Sequence, residues 1–179
     1  MQVIATQHPE VLLLRPKVFG DARGFFFESY NRKALAGLGI TAEFVQDNHS
    51  RSAQGVLRGL HYQISQPQGK LVRVVAGEVF DVAVDLRRSS PHFGRVASFR
   101  LSAETHDMAW IPPGFAHGFQ VLSEHAEFLY KTTDYYAPEF ERCLLWNDPA
   151  LGIDWPLDGA PLLSAKDQAG RPLAECEVF

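Results

Sequence analysis

The chain has few of the features that hold a protein together from outside its core. Only two of its 179 residues are cysteine, Cys143 and Cys176. They lie far apart, without C-x-x-C spacing or a secretory context that favours a disulfide, so both read as reduced, buried thiols. No repeat, low-complexity tract or Ser/Gly linker divides the sequence, which reads as one continuous domain over residues 1–179. The first ten residues lack a basic stretch followed by a sustained apolar one, and no later apolar run approaches membrane-spanning length. The cytoplasm is the expected compartment, with no membrane partner. Positive charge is not in excess: the formal net charge is -4 and the pI about 6.0. That balance gives no general attraction for nucleic acid, so an anionic ligand has to meet a local cluster of cations.

Apolar and aromatic residues are plentiful. Hydrophobic residues make up 46% of the chain, charged residues 21%, and phenylalanine alone numbers 13, a composition that builds a packed core. Phe80, Val82, Val84 and Leu86 alternate with Asp81, Ala83, Asp85 and Arg87, a period-two strand with one apolar face. A preceding strand over Leu71–Val75 reaches it through Ala76-Gly77-Glu78, and the pair reads as a tight antiparallel hairpin. Further short strands are expected at Val11–Leu14, Gly24–Glu28, Glu43–Gln46, Val56–Gln63, Arg95–Leu101, Met108–Ile111, Gly118–Leu122, Phe128–Thr132 and Leu144–Trp146. Many short strands separated by Gly and Pro turns point to an all-β sandwich or barrel. One early helix is expected over Arg32–Leu38, with Asn31 as N-cap and Gly39 as stop. The tail after Pro149 is turn-rich and reads as short helices or a segment wrapped on the barrel.

Two segments resemble the paired motifs of cupins, small β-barrels that commonly hold a metal with three histidines and a glutamate. They are Gly55-Val56-Leu57-Arg58-Gly59-Leu60-His61-Tyr62-Gln63, reaching Lys70 and Gly77, and Pro112-Pro113-Gly114-Phe115-Ala116-His117. A metal-binding cupin would place ligands at 61, 63, near 70 and at 117. Here Gln63 and Lys70 stand at two of these. An ammonium in place of an anionic ligand repels a divalent cation, so the barrel is expected without a metal, although spacing alone leaves open a site rebuilt from His49 or His106. His8, His92 and His125 read as ordinary satisfied polar residues. His61 and His117 stand apart. His61 runs with Arg58, Tyr62 and Lys70, and His117 follows a Pro-Pro-Gly turn.

From about Val11 to Asp167 the chain resembles the dTDP-4-dehydrorhamnose 3,5-epimerase family. The matching stretches, in the family's order, are Asp21–Glu28, Gln46–Ser50, Leu57–Gln63, Gly69–Val72, Asp81–Arg87, Ile111–Phe119 and Leu163–Asp167. The resemblance implies a cupin-like jelly-roll β-barrel with a few short helices and an acid–base epimerase that needs no cofactor. Its substrate would be a thymidine diphosphate 4-keto-6-deoxy sugar, whose ketone makes the C3 and C5 protons removable. By the same resemblance His61 is the base, Asp167 orients its ring, Lys70 stabilises the enolate oxygen and Tyr130 is the acid on the opposite face. Arg23, Arg58 and Lys166 match substrate-holding cations. Glu28, Gln46, Asp47, Asn48, His117 and Glu141 match further contacts, and Tyr136 a stacking partner for thymine. The resemblance also implies a homodimer in which the N-terminal segment, about residues 1–50, helps build the partner's site. Relatives that invert only C3 or C5, related ketoisomerases, a non-catalytic sugar-nucleotide binder and a metal-dependent cupin are the alternatives.

Overall fold

The computed structural model describes all 179 residues. The N-terminal part carries β1 (Gln2–Ile4), β2 (Leu12–Arg15), β3 (Phe19–Asp21), β4 (Gly24–Phe26) and the helix α1 (Arg32–Ala36). The middle of the chain is almost all strand: β5 (Gln46–Ala53), β6 (Leu57–Gln63), β7 (Lys70–Ala76), β8 (Glu78–Asp85) and β9 (Val96–Ser102). It continues with β10 (Met108–Ile111), β11 (Phe115–Val121), β12 (His125–Thr132) and β13 (Glu141–Cys143), and a second helix, α2 (Ala165–Gln168), follows near the end. No helix is long and apolar enough to cross a membrane.

The strands form two antiparallel sheets, in the orders β1-β2-β10-β7-β12-β5 and β13-β6-β11-β8-β9, with the β3–β4 hairpin set apart. The inner faces meet in one apolar cluster. Val72 and Val74, Ala109 and Ile111, and Phe128 come from the first sheet, with Val79, Ala83, Leu101, Phe119 and Val121 from the second. This is the all-β barrel that the strand pattern predicts, in the jelly-roll form that the resemblance implies.

Two further clusters cover the outer faces. α1 and the residues after it lay Leu35 and Ile40 over Leu14, Leu71, Met108 and Trp110 of the larger sheet. The helix is too short to be stable alone. It is fixed by Asn31, whose Oδ1 accepts from the Ala34 N–H at 3.1 Å, and by burial of Leu35, which contributes about 1.5–3 kcal/mol. On the smaller sheet, Leu60, Val82, Val84 and Leu86 pack beneath the C-terminal segment through Leu144, Leu151 and Cys176.

Several local expectations are corrected. β7 and β8 are not a hairpin. β7 pairs with β10 and β12 in one sheet and β8 with β9 and β11 in the other, so the chain changes sheets at Gly77. Gly77 has φ +74, and a Cβ there would lie 2.0 Å from the His125 carbonyl oxygen, so only glycine makes this corner. β8 is buried on both faces, because the C-terminal segment covers its apolar side while Asp81, Ala83 and Asp85, all fully buried, belong to the other. The expected strand at Glu43–Gln46 instead begins at Gln46 and runs to Ala53. Leu144–Trp146 is not a strand: Leu144 is core, and the pairing comes just before it, in β13.

Candidate active site

His61 lies within β6, between two antiparallel neighbours. Its cross-strand partners are His117 on β11 and Cys143 on β13, residues that share its face of the sheet. The β6–β11 contact is closer than side chains permit. A Cβ on Gly118 would sit 2.3 Å from the Arg58 carbonyl oxygen, and one on Gly59 2.6 Å from the Gly118 Cα. Glycine on both strands therefore lets the two histidines lie side by side.

Asp167 stands against His61, its Oδ1 2.7 Å from Nε2. The alignment leaves that buried nitrogen without a well-formed hydrogen bond. Local structure puts the carboxylate there. Asp167 closes the capping box of α2, taking bonds from the Ser164 hydroxyl at 2.6 Å and its N–H at 3.1 Å, and it also accepts from the Gly59 N–H at 3.0 Å. Burial alone would raise its pKa. The contacts with His61, Ser164 and Gly59 outweigh burial and hold the carboxyl well below the usual range.

Lys70 opens β7 and is only 8% exposed, its Nζ 3.4 Å from the His61 carbonyl oxygen. Burial pushes its ammonium down to about 8, against the pull of Asp81 and Glu141. His117 holds Asp81 through Nε2, 3.0 Å from both carboxylate oxygens. Burial lowers the His117 pKa despite that partner and raises that of the Tyr130 phenol. His61, Lys70, His117 and Tyr130, with Arg58 and Ser50, line one cavity of about 150 Å³. The Arg58 guanidinium is steadied by the Ser52 hydroxyl, 2.9 Å from Nε.

A second set forms a connected network. Gln46 accepts from the Tyr136 N–H at 3.0 Å and donates to Asn48 at 2.9 Å, while the Tyr136 hydroxyl donates to Glu141 at 3.0 Å. Lys166 donates to Glu141 and to the Tyr136 hydroxyl. Burial raises the Glu141 pKa, but the bonds from Lys166 and Tyr136 bring it below its usual value, and the same bonds raise that of Lys166. Glu141 and Lys166 line a larger groove of about 780 Å³ that also reaches His61 and Cys143.

Three of the expected residues lie elsewhere. Arg23 is in the exposed β3–β4 hairpin, paired with Asp21. Glu28 accepts from Asn31. Asp47 pairs with Lys131 at 2.7 Å and alternates with Gln46 and Asn48 along β5, so it turns to the opposite face. Asp81 and Cys143 are additions to the sequence reading. Asp81 reads as part of the non-apolar face of an alternating strand, and nothing in the sequence announces that β13 sets Cys143 beside His61.

The positions of a cupin metal cage do not fit a metal. The Gln63 amide is consumed by backbone, donating to the Gln66 and Tyr135 carbonyls and accepting from the Ala137 N–H. The Lys70 amine occupies the cavity beside His117. His49 is engaged with Glu127, and His106 packs on Phe25 and Phe27.

Comparison with known proteins gives a consistent result. A family model described as dTDP-4-dehydrorhamnose 3,5-epimerase matches residues 5–175. The dTDP-4-dehydrorhamnose 3,5-epimerase of Pseudomonas aeruginosa is 67% identical over 172 residues, covering 96% of this chain and 95% of the relative. That of Salmonella typhimurium is 60% identical over 177 residues, with 98% and 96% covered. Among solved structures, a dTDP-6-deoxy-D-glucose-3,5-epimerase from Legionella pneumophila in complex with dTDP-4-keto-L-rhamnose superposes with a TM-score of 0.96 at 55% identity. The match covers 98% of this chain and 94% of that one.

Proposed function

The chain belongs to the dTDP-4-dehydrorhamnose 3,5-epimerase family, and from that premise we propose how its residues invert C3 and C5 of a dTDP-4-keto-6-deoxy-glucose to give dTDP-4-keto-L-rhamnose. The observation that carries the assignment is that His61, Lys70 and Tyr130 converge on one cavity, with Asp167 anchored against His61.

With Nε2 of His61 turned to Asp167, Nδ1 is the nitrogen left to take a proton from carbon. The bonding pair of that C–H becomes a carbon–carbon double bond, and the carbonyl electrons move onto oxygen. The Lys70 ammonium stabilises this enolate in a water-poor site, where a fixed charge is worth far more than in bulk water. Asp167, held anionic, favours the imidazolium that forms. Tyr130, whose raised pKa keeps the phenol protonated, returns a proton to C5 from the opposite face as the enolate electrons restore the ketone, the C3 enolate takes its proton from solvent, and solvent restores both groups. The ketone itself activates the neighbouring C–H bonds, so no cofactor enters these steps.

Arg58 and Lys166 supply cations for the diphosphate, and Tyr136 a face for thymine, with Gln46, Asn48, Glu141 and His117 as polar contacts. Arg23, Glu28 and Asp47 stand outside the cavity of their own chain. We assign Arg23 and Glu28 to the partner's site in a homodimer, a reading supported by the exposed Phe19, Phe25 and Phe26 of the hairpin that carries Arg23. Incubating the keto-sugar nucleotide in heavy water tests the reaction. Deuterium is expected at both C3 and C5, and label at one carbon only would make the protein a mono-epimerase.

A further inference from the structure

We propose that His61, Cys143 and Asp167 form a binding site for a soft or borderline divalent cation, zinc in particular, and that the bound ion inhibits the enzyme by occupying its base. This site shares His61 with the positions of a cupin cage but takes its other ligands, Cys143 and Asp167, from outside them. The ring nitrogen of His61, the Cys143 Sγ and a carboxylate oxygen of Asp167 all lie within 4.8 Å of one another. A cysteine, a histidine and an aspartate are three ligands that zinc takes, and a water completes four-coordination.

Two of the ligands lack a strong hydrogen bond, and Asp167 already stands against His61. The buried Nε2 of His61 has no well-formed hydrogen bond. Asp167 is held anionic by its surroundings. The Cys143 thiol has no part in the proposed reaction, and its only hydrogen-bond partner is the Leu144 carbonyl at 3.7 Å. Both Cys143 and His61 line the groove of about 780 Å³, which supplies a route from solvent. On binding, the thiol proton passes to water, and the ion takes the Nε2 electron pair, which leaves the ring's own proton on Nδ1, the nitrogen that would otherwise accept the substrate proton. One other cluster has comparable donors, His8 with Glu10 and Asp85, but Arg87 forms ion pairs with both carboxylates and keeps a cation out.

The test is a titration of the metal-free protein with Co²⁺, then Zn²⁺. A thiolate-to-cobalt charge-transfer band in the near ultraviolet is expected, bleached by Zn²⁺, together with inhibition that a chelator reverses. Cys143→Ser and Cys143→Ala should keep metal-free turnover and thermal stability. Both should lose the band and weaken zinc binding, measured by equilibrium dialysis, at least about tenfold. Unchanged zinc affinity in both variants, or no charge-transfer band in the parent protein, overturns the proposal. The ion's inhibitory effect rests on His61 being the base, but binding is read without turnover, so this result and the deuterium assay can fail independently.

Discussion

Two histidine–aspartate pairs in this molecule have the same chemistry on paper and different surroundings. His8 and Asp85 are both fully buried, with Nε2 3.2 Å from the carboxylate. The Glu10 N–H donates to His8 Nδ1, so Nε2 carries the proton and the ring is a fixed neutral tautomer. Burial lowers its pKa further, outweighing Asp85. Asp85 also accepts from Arg87 and Ser90, and His8 packs edge-on against Phe115 and His92. Every polar atom of that pair is occupied and nothing can reach it. His61 and Asp167 are closer, at 2.7 Å, yet the His61 side chain is 30% exposed and faces a cavity. Its carboxylate is saturated by its own cap and by Gly59 while the imidazole is left under-bonded. A His–Asp pair becomes reactive when the acid is held and the base is not.

The widest separation between the two pairs should appear on mutation of the histidines. His61→Ala is expected to lower turnover by about 10²–10⁴-fold with little change in thermal stability, since a general base contributes on that scale. Steady-state rates beside a thermal melt check both halves. Tyr130→Phe should follow, with inversion at C5 reduced by about 10²-fold while deuterium exchange at C3 survives better. Equal loss at both carbons would remove Tyr130 from its place opposite His61. His8→Gln should do the reverse of His61→Ala. Losing a buried hydrogen bond to a charged group costs about 1.5–3 kcal/mol of stability, read by denaturant unfolding, with the turnover of folded molecules unchanged. If His8→Gln inactivated a protein that remained folded, the division between closed and open pairs would be wrong.

The open pair was easier to read from sequence than the closed one, for reasons of distance and context. His61 lies in a compact run with Arg58 and Tyr62, and α1 announces itself through Asn31. The barrel class follows from the many short strands and their punctuation. What sequence does not disclose is which faces later segments cover. β8 reads as half-solvated because the residues that bury Val82, Val84 and Leu86 come more than fifty positions later in the chain, and Asp81 goes unnoticed as a result. β5 is missed over most of its length because Gln46–Ala53 is polar, a composition that suits a strand with Ser50 in a cavity but resembles a loop. Gly77 reads as a hairpin turn because a hairpin and a change of sheet ask for the same positive φ.

The smallest effect concerns the charge that both halves of the barrel share through β8, where Asp81 faces the cavity lysine as Asp85 faces His8. With Lys70 at about 8 rather than its usual 10.5, the working ammonium is lost as pH rises through about 8, so turnover should fall by up to about tenfold per pH unit above that point. Stability should move the other way. Between about 8 and 10.5 the unfolded chain binds the lysine proton and the native state does not, so this group makes folding more favourable as pH rises through that window. Opposite slopes in activity and stability distinguish a buried lysine from general alkaline damage, which would lower both. Asp81→Asn keeps an acceptor for His117 but removes the anion that supports the ammonium. The alkaline limb should therefore shift to lower pH, whereas Lys70→Met should erase both slopes. An alkaline limb that ignores both substitutions would mean that the cavity amine carries no charge the reaction uses.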